Sequence, residues 1–94
     1  MRVCRRYRVW GRVQGVGFRA FVWRTARDIG VDGWVRNRYD GSVEALVAAD
    51  PGAHDRLLTA LKLGPRMSRV DRVDVAEEVA AEDLSAGFEV RHDA

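Results

Sequence analysis

The chain has 94 residues, of which 47% are hydrophobic and 32% charged, and a formal net charge of +2. That length allows one domain over residues 1–94 with a single modest core. No apolar run approaches the roughly 20 residues needed to span a bilayer, no signal-peptide core opens the chain, and one cysteine, Cys4, rules out an internal disulfide. A lone cysteine suits a reducing, cytoplasmic compartment, and Cys4 reads as a partly buried strand residue rather than a catalytic thiol. The charge is unevenly spread. Residues 1–40 hold ten Arg against three Asp, a balance of +7, and residues 41–94 hold six basic against eleven acidic residues, a balance of −5. The basic half would draw in a small anion.

Residues 3–13 alternate, with Val3, Tyr7, Val9, Gly11 and Val13 on one face and Arg6, Arg8, Trp10 and Arg12 on the other. Period two with one polar face predicts a half-buried strand. Gly11-Arg12-Val13-Gln14-Gly15-Val16-Gly17-Phe18-Arg19 follows as a glycine-rich turn that leads into helical periodicity. Phe18, Val22, Thr25, Ala26 and Ile29 share a helical face, and Gly30 is a natural stop. Residues 31–37 predict a second strand, Arg38-Tyr39-Asp40-Gly41 a turn, and residues 42–48 an antiparallel third strand. Asp50-Pro51 opens a second helix whose stripe is His54, Leu57, Leu58 and Leu61, and Gly64-Pro65 closes it. Residues 68–75 alternate again. The acidic, Ala-rich residues 76–87 read as a long connection, and Phe88-Glu89-Val90-Arg91 as a short last strand at an edge. The order is β-α-β-β-α-β with room for a fifth strand. The expected fold is a ferredoxin-like α/β sandwich, an antiparallel sheet with two helices on one face and strands one and three central.

Glycines before a helix can aim successive backbone N–H groups into one concavity. The helix terminus adds unpaired N–H groups, and an arginine fork can hold two phosphate oxygens. Four uses of such a cradle compete. A dinucleotide site is disfavoured because the next two strands form a hairpin instead of a further βαβ unit. A nucleoside-triphosphate loop lacks the Lys-Ser/Thr pair. An RNA-binding module shares the strand order, but the third strand, Ser42-Val43-Glu44-Ala45-Leu46-Val47, carries an acid and no aromatic platform. No nucleic-acid partner is expected.

A small phosphate site remains. The sequence resembles the acylphosphatase family over essentially its whole length. The family's G-x-V-Q-G-V-x-F-R pattern is matched by Gly11 through Arg19. Its G-W-V-x-N-x-x-D-G-x-V-E pattern is matched by Gly33 through Glu44, and a Gly-Pro follows the second helix at Gly64-Pro65. Arg66-Met67-Ser68 departs from the small or polar residues usual after that Gly-Pro. The resemblance implies hydrolysis of a carboxyl phosphate to carboxylate and inorganic phosphate, with no metal or other cofactor, in a monomer with a small-molecule substrate. Arg19 matches the family's phosphate-binding arginine, with N–H groups of Gln14, Gly15, Val16, Gly17 and Phe18 completing the cradle. Asn37 matches its catalytic asparagine, which orients the attacking water. No base is visible in the sequence: His54 reads as partly packed or at the surface, and His92 as solvated. Two rivals follow from the same resemblance. One is an acylphosphatase-like domain handling carbamoyl phosphate within a larger hydrogenase-maturation protein, and the other a phosphate-binding module without turnover.

Overall fold

The computed structural model describes residues 1–79, 84 and 86–94. Its elements are β1 (Val3–Arg12), α1 (Phe18–Ile29), β2 (Asp32–Asn37), β3 (Val43–Ala49), α2 (Pro51–Leu63), β4 (Arg69–Glu78) and β5 (Phe88–Val90). The five strands form one sheet in the order β4-β1-β3-β2-β5. β1 and β3 are central and antiparallel, as the expected fold places them, and β4 and β2 flank them. The fold is ferredoxin-like. The last strand differs from the sequence expectation of a purely antiparallel sheet: β5 lies parallel to β2, pairing Gly33 with Phe88 and Val35 with Val90.

The inward face of β1 delivers Tyr7, Val9 and Val13 to a core completed by Phe18, Val22 and Ala26 of α1, Val43, Ala45 and Val47 of β3, and Leu57 and Leu61 of α2. Burying a side chain such as Phe18 contributes roughly 2–3 kcal/mol. Asp50 caps α2 by accepting from the Ala53 N–H at 2.8 Å, and Gly30 ends α1 in the left-handed conformation. Gly11 serves close packing: a Cβ there would sit 2.1 Å from the Arg69 carbonyl oxygen, where β1 and β4 slip register.

Two expectations change in detail. His54 is fully buried, not partly packed: its Nε2 lies 2.9 Å from the Val3 carbonyl oxygen, and its Nδ1 lies 2.6 Å from the Tyr7 hydroxyl. A carbonyl can only accept, so Nε2 carries the proton and Nδ1 accepts from Tyr7. Burial pushes the His54 pKa down. The proposed connection over residues 76–87 begins later than expected, because β4 runs through Glu78; residues 80–83 and 85 of that stretch lie outside the described residues. Trp34 is buried on the open face of the sheet beside Cys4 and Leu46, beneath the guanidinium groups of Arg6, Arg36 and Arg91. No helix among the described residues is long and apolar enough to cross a membrane.

Candidate active site

The turn between β1 and α1 is pinned at both ends by the buried side chains of Val13 and Phe18. Between them Gly15 and Gly17 take φ values of +74° and +78°. A Cβ at either would meet nothing within 4 Å, so the demand for glycine is conformational rather than spatial. The first hydrogen bond of α1 runs from the Phe21 N–H to the Gly17 carbonyl. The amides of residues 18–20 therefore point out of the helix start, where the partial positive charge of the helix also lies.

Arg19 stands in that first turn. Its side chain is 40% exposed, and its Nη1 is 3.2 Å from Asp93 Oδ1. Asn37 is the last residue of β2 and is 8% exposed. The two meet at a cavity of about 350 Å³ lined by Val13, Gly15, Gly17, Phe18, Arg19 and Asn37, together with Ala20 and Val90. The expected partners thus face one space at one end of the sheet. Gly15, Gly17 and Phe18 line it with them. Gln14 and Val16 do not: Val16 packs against the core, so these two can reach a ligand there only through their backbone.

The Gln14 side chain has another destination. Its Nε2 donates to the carbonyl oxygens of Arg38 at 2.7 Å and Ser42 at 2.9 Å. One amide therefore ties the cradle to the β2–β3 hairpin one residue beyond Asn37. The hairpin is stiffened internally. Asp40 Oδ1 accepts from the Ser42 N–H and hydroxyl at 2.9 and 2.6 Å, and these bonds lower the Asp40 pKa. Residues 91–94 extend the pairing along β2. The Arg91 N–H donates to the Val35 carbonyl, the Ala94 N–H to the Asn37 carbonyl, and the Tyr39 N–H to the Ala94 carbonyl, at 2.8–3.1 Å.

On the opposite face of the sheet the residues flanking Asn37 are also held. Glu44, 2% exposed, receives Arg36 Nε at 2.8 Å and Arg38 Nη1 at 3.2 Å, with Arg6 and Arg8 also paired to it. Burial pushes the Glu44 pKa up, but the hydrogen bonds and charges of Arg36 and Arg6 outweigh it, and the net shift is downward. Glu44 stays ionised as the hub of four arginines.

The model of the family described as Acylphosphatase matches residues 5–90. The chain belongs to the acylphosphatase family. An acylphosphatase of Koribacter versatilis is 51% identical over 86 residues, covering 92% of this chain and 77% of that protein. One of Thiobacillus denitrificans is 51% identical over 83 residues, covering 88% and 90%. The crystal structure of acylphosphatase from Bacillus subtilis superposes with a TM-score of 0.89 at 38% identity, covering 97% of this chain and 99% of that one. The structure of HypF from T. kodakarensis also matches, with a TM-score of 0.83 at 28% identity, over all of this chain but only 12% of that chain. Sequence reasoning singled out Arg19, Asn37 and the cradle glycines, and the fold brings Arg19, Asn37, Gly15 and Gly17 to one cavity. Sequence reasoning did not anticipate the Gln14 clamp, Val90 or Asp93. The first left no signal, because the partner carbonyls belong to any hairpin. The other two required knowing that β5 docks beside β2.

Proposed function

We propose that this chain hydrolyses acyl phosphates, R–CO–O–PO₃²⁻, to a carboxylate and inorganic phosphate without a metal, acting as one catalytic domain over residues 1–94. The observation that carries the reading is the shared cavity: the cradle glycines and Arg19 on one side, Asn37 on the other. In the proposed reaction Arg19 and the amides at the start of α1 hold the phosphate oxygens. The Asn37 side-chain amide holds a water against phosphorus. A new P–O bond forms from that water, the P–O bond to the acyl oxygen breaks, the electron pair leaves on the carboxylate, and the water's protons stay with the product, one passing to a phosphate oxygen to give dihydrogen phosphate. Phosphoryl transfer develops little covalent demand on the protein, so positioning and charge stabilisation supply most of the catalysis. A carboxylate is a weak base, so its departure needs no general acid, and this supports a metal-free reaction. His54 is not the base, because it is buried with both ring nitrogens engaged. The protein is taken as a cytoplasmic monomer; its single, buried thiol supports the compartment.

The test is phosphate release from acetyl phosphate, compared with carbamoyl phosphate and a phosphate monoester, with and without a chelator. Fast release from acetyl phosphate alone, unchanged by chelation, is expected. A preference for carbamoyl phosphate would favour a second reading, a carbamoyl-phosphate domain of a larger protein; the match to HypF, over 12% of that chain, shows this fold within a longer protein. Phosphate binding without turnover of any of the three would leave a binding module. Activity lost on chelation and restored by a divalent ion would overturn the metal-free step.

A further inference from the structure

Arg12 and Arg66 are exposed, and among the described residues neither guanidinium is paired with an acid. We propose that they form a basic rim beside the cradle, which draws phosphate dianions in through its field without touching the bound ligand. This rests on the phosphate cradle of the reading above.

The fold places both residues beside the cradle. Arg12 ends β1, one residue before the buried Val13 that anchors the glycine turn, and its Cα pairs with that of Arg69 at the start of β4. The turn that leads into β4, residues 65–68, carries Arg66. It is closed by the Ser68 N–H and hydroxyl, which donate to the Pro65 carbonyl at 3.0 and 2.7 Å. Gly64, just before that turn, lies against the first residue of α1: a Cβ there would sit 3.0 Å from the Phe18 ring. Strand end, turn and helix start therefore bring Arg12 and Arg66 to the β4 side of the cradle. Neither lines the cavity that Arg19 and Asn37 share, so their reach into it is electrostatic.

The other charges at this end offset one another. Asp93 lies 3.2 Å from Arg19, so the phosphate ligand itself contributes little field at a distance. Arg69 and Asp71 pair at 3.0 Å, and Asp40 pairs with Arg8 at 3.1 Å. Lys62, in the last turn of α2, offsets the partial negative charge of that helix end. The amides at the start of α1 act only over the first turn. At longer range the uncompensated charges are Arg12 and Arg66. Their attraction for a dianion is twice that for a monoanion at the same place, so the rim favours doubly charged phosphates over singly charged anions.

Calorimetric titration with inorganic phosphate tests this, at a pH where it is a dianion and at two salt concentrations. Charges act over about 30 Å at roughly 0.01 M ionic strength and over about 3 Å at roughly 1 M. At low salt the Arg12→Gln/Arg66→Gln variant should bind phosphate about fivefold more weakly than the wild type, and at high salt within about twofold. Arg12→Lys/Arg66→Lys keeps the charges and loses the forks, so it should match the wild type at both. Arg56→Glu removes the same two units of charge at the opposite end of the sheet, where Arg56 lines a cavity with Arg2 and Asp50. It should cost no more than about twofold at low salt. Equal affinities of wild type and Gln variant at low salt overturn the rim. So does a loss that persists at high salt, a Lys variant as weak as the Gln variant, or an equal loss in Arg56→Glu. Turnover of acetyl phosphate, followed in parallel, tests the hydrolytic reading separately. A wild type that shows the salt-dependent margin but releases no phosphate keeps the rim and refutes the enzyme. A wild type that binds no phosphate at low salt overturns the rim.

Discussion

Two arginine-rich regions of this chain use the same side chain in opposite ways. On the open face of the sheet, Arg6, Arg8, Arg36 and Arg38 converge on the buried Glu44, and Glu78 and Asp40 pair with Arg6 and Arg8 as well. At the start of α1, Arg19 meets one half-exposed carboxylate and otherwise faces a cavity with the glycine turn and Asn37. The first region has four cations and offers little to a ligand. The second has one and is open to an anion. The number of arginines is therefore a poor guide to where an anion binds; what matters is how many acids already claim them.

The contrast can be broken at the closed end first. Glu44→Gln leaves four guanidinium groups around an uncharged amide. Breaking a buried charge pair in this way costs about 3–5 kcal/mol, to be read from urea unfolding, and phosphate affinity should fall far less in the fraction that remains folded. At the open end the effect moves from stability to turnover. Arg19→Lys replaces a fork with a point charge and should lower turnover about 100-fold, as loss of one donor at a developing anion commonly does, with the unfolding midpoint nearly unchanged. A wild-type rate would reject Arg19 as the phosphate ligand.

Between the two lies Gln14. Gln14→Met keeps the size of the side chain and removes both donors, so kcat should fall about tenfold while the phosphate inhibition constant stays within twofold, because a positional shift of Asn37 costs rate before affinity. Gln14→Glu should be worse at neutral pH, where a carboxylate faces two carbonyls, and should recover toward the Met variant as acid protonates it. Equal pH profiles for the two variants would deny the clamp.

The smallest effect is in the pH dependence of folding. An unfolded His54 takes up a proton near the ordinary value of 6.5, whereas burial lowers its pKa in the folded protein. Below about pH 6.5 the unfolded chain then binds more protons, so stability is full above that pH and falls as pH drops toward the folded pKa. Asp32 and Asp40, whose pKa values are also lowered, lose their contributions at lower pH still, from about 3.8 downward. Urea midpoints at pH 7.5 and 5.5 should therefore differ, with the acid value lower; equal midpoints would mean that folding leaves the proton affinity of His54 unchanged.

Much of this was legible in the sequence, for reasons that differ by residue. Arg19 and Asn37 were singled out because each sits in a long motif, and they lie where expected, in the first turn of α1 and at the end of β2. The β2–β3 pairing could be read from the hairpin spacing, and the central place of β1 and β3 followed from the expected fold. Glu44 could be read as an acid on the third strand, but not as a buried hub. That required β1 and β2 to lie on either side of it, with Arg8 and Arg36 in register. His54 looked like a packed or surface residue because a helical stripe does not reveal a tyrosine hydroxyl 47 positions earlier. The parallel docking of β5 was hidden because a three-residue strand carries too little pattern to choose its neighbour.

The short β5 and the edge segment of residues 90–94 give this fold a built-in weak seam. The cavity wall at Val90 and the partner of Arg19 at Asp93 hang on a few edge hydrogen bonds, whereas the cradle is rooted in the core. Edge segments of this kind open locally at lower free energy than the central strands. Amides of residues 90–94 should then exchange with solvent sooner than those of β1 and β3, and activity should fade during denaturation before the far-ultraviolet signal does. The enzyme would lose its function while still folded.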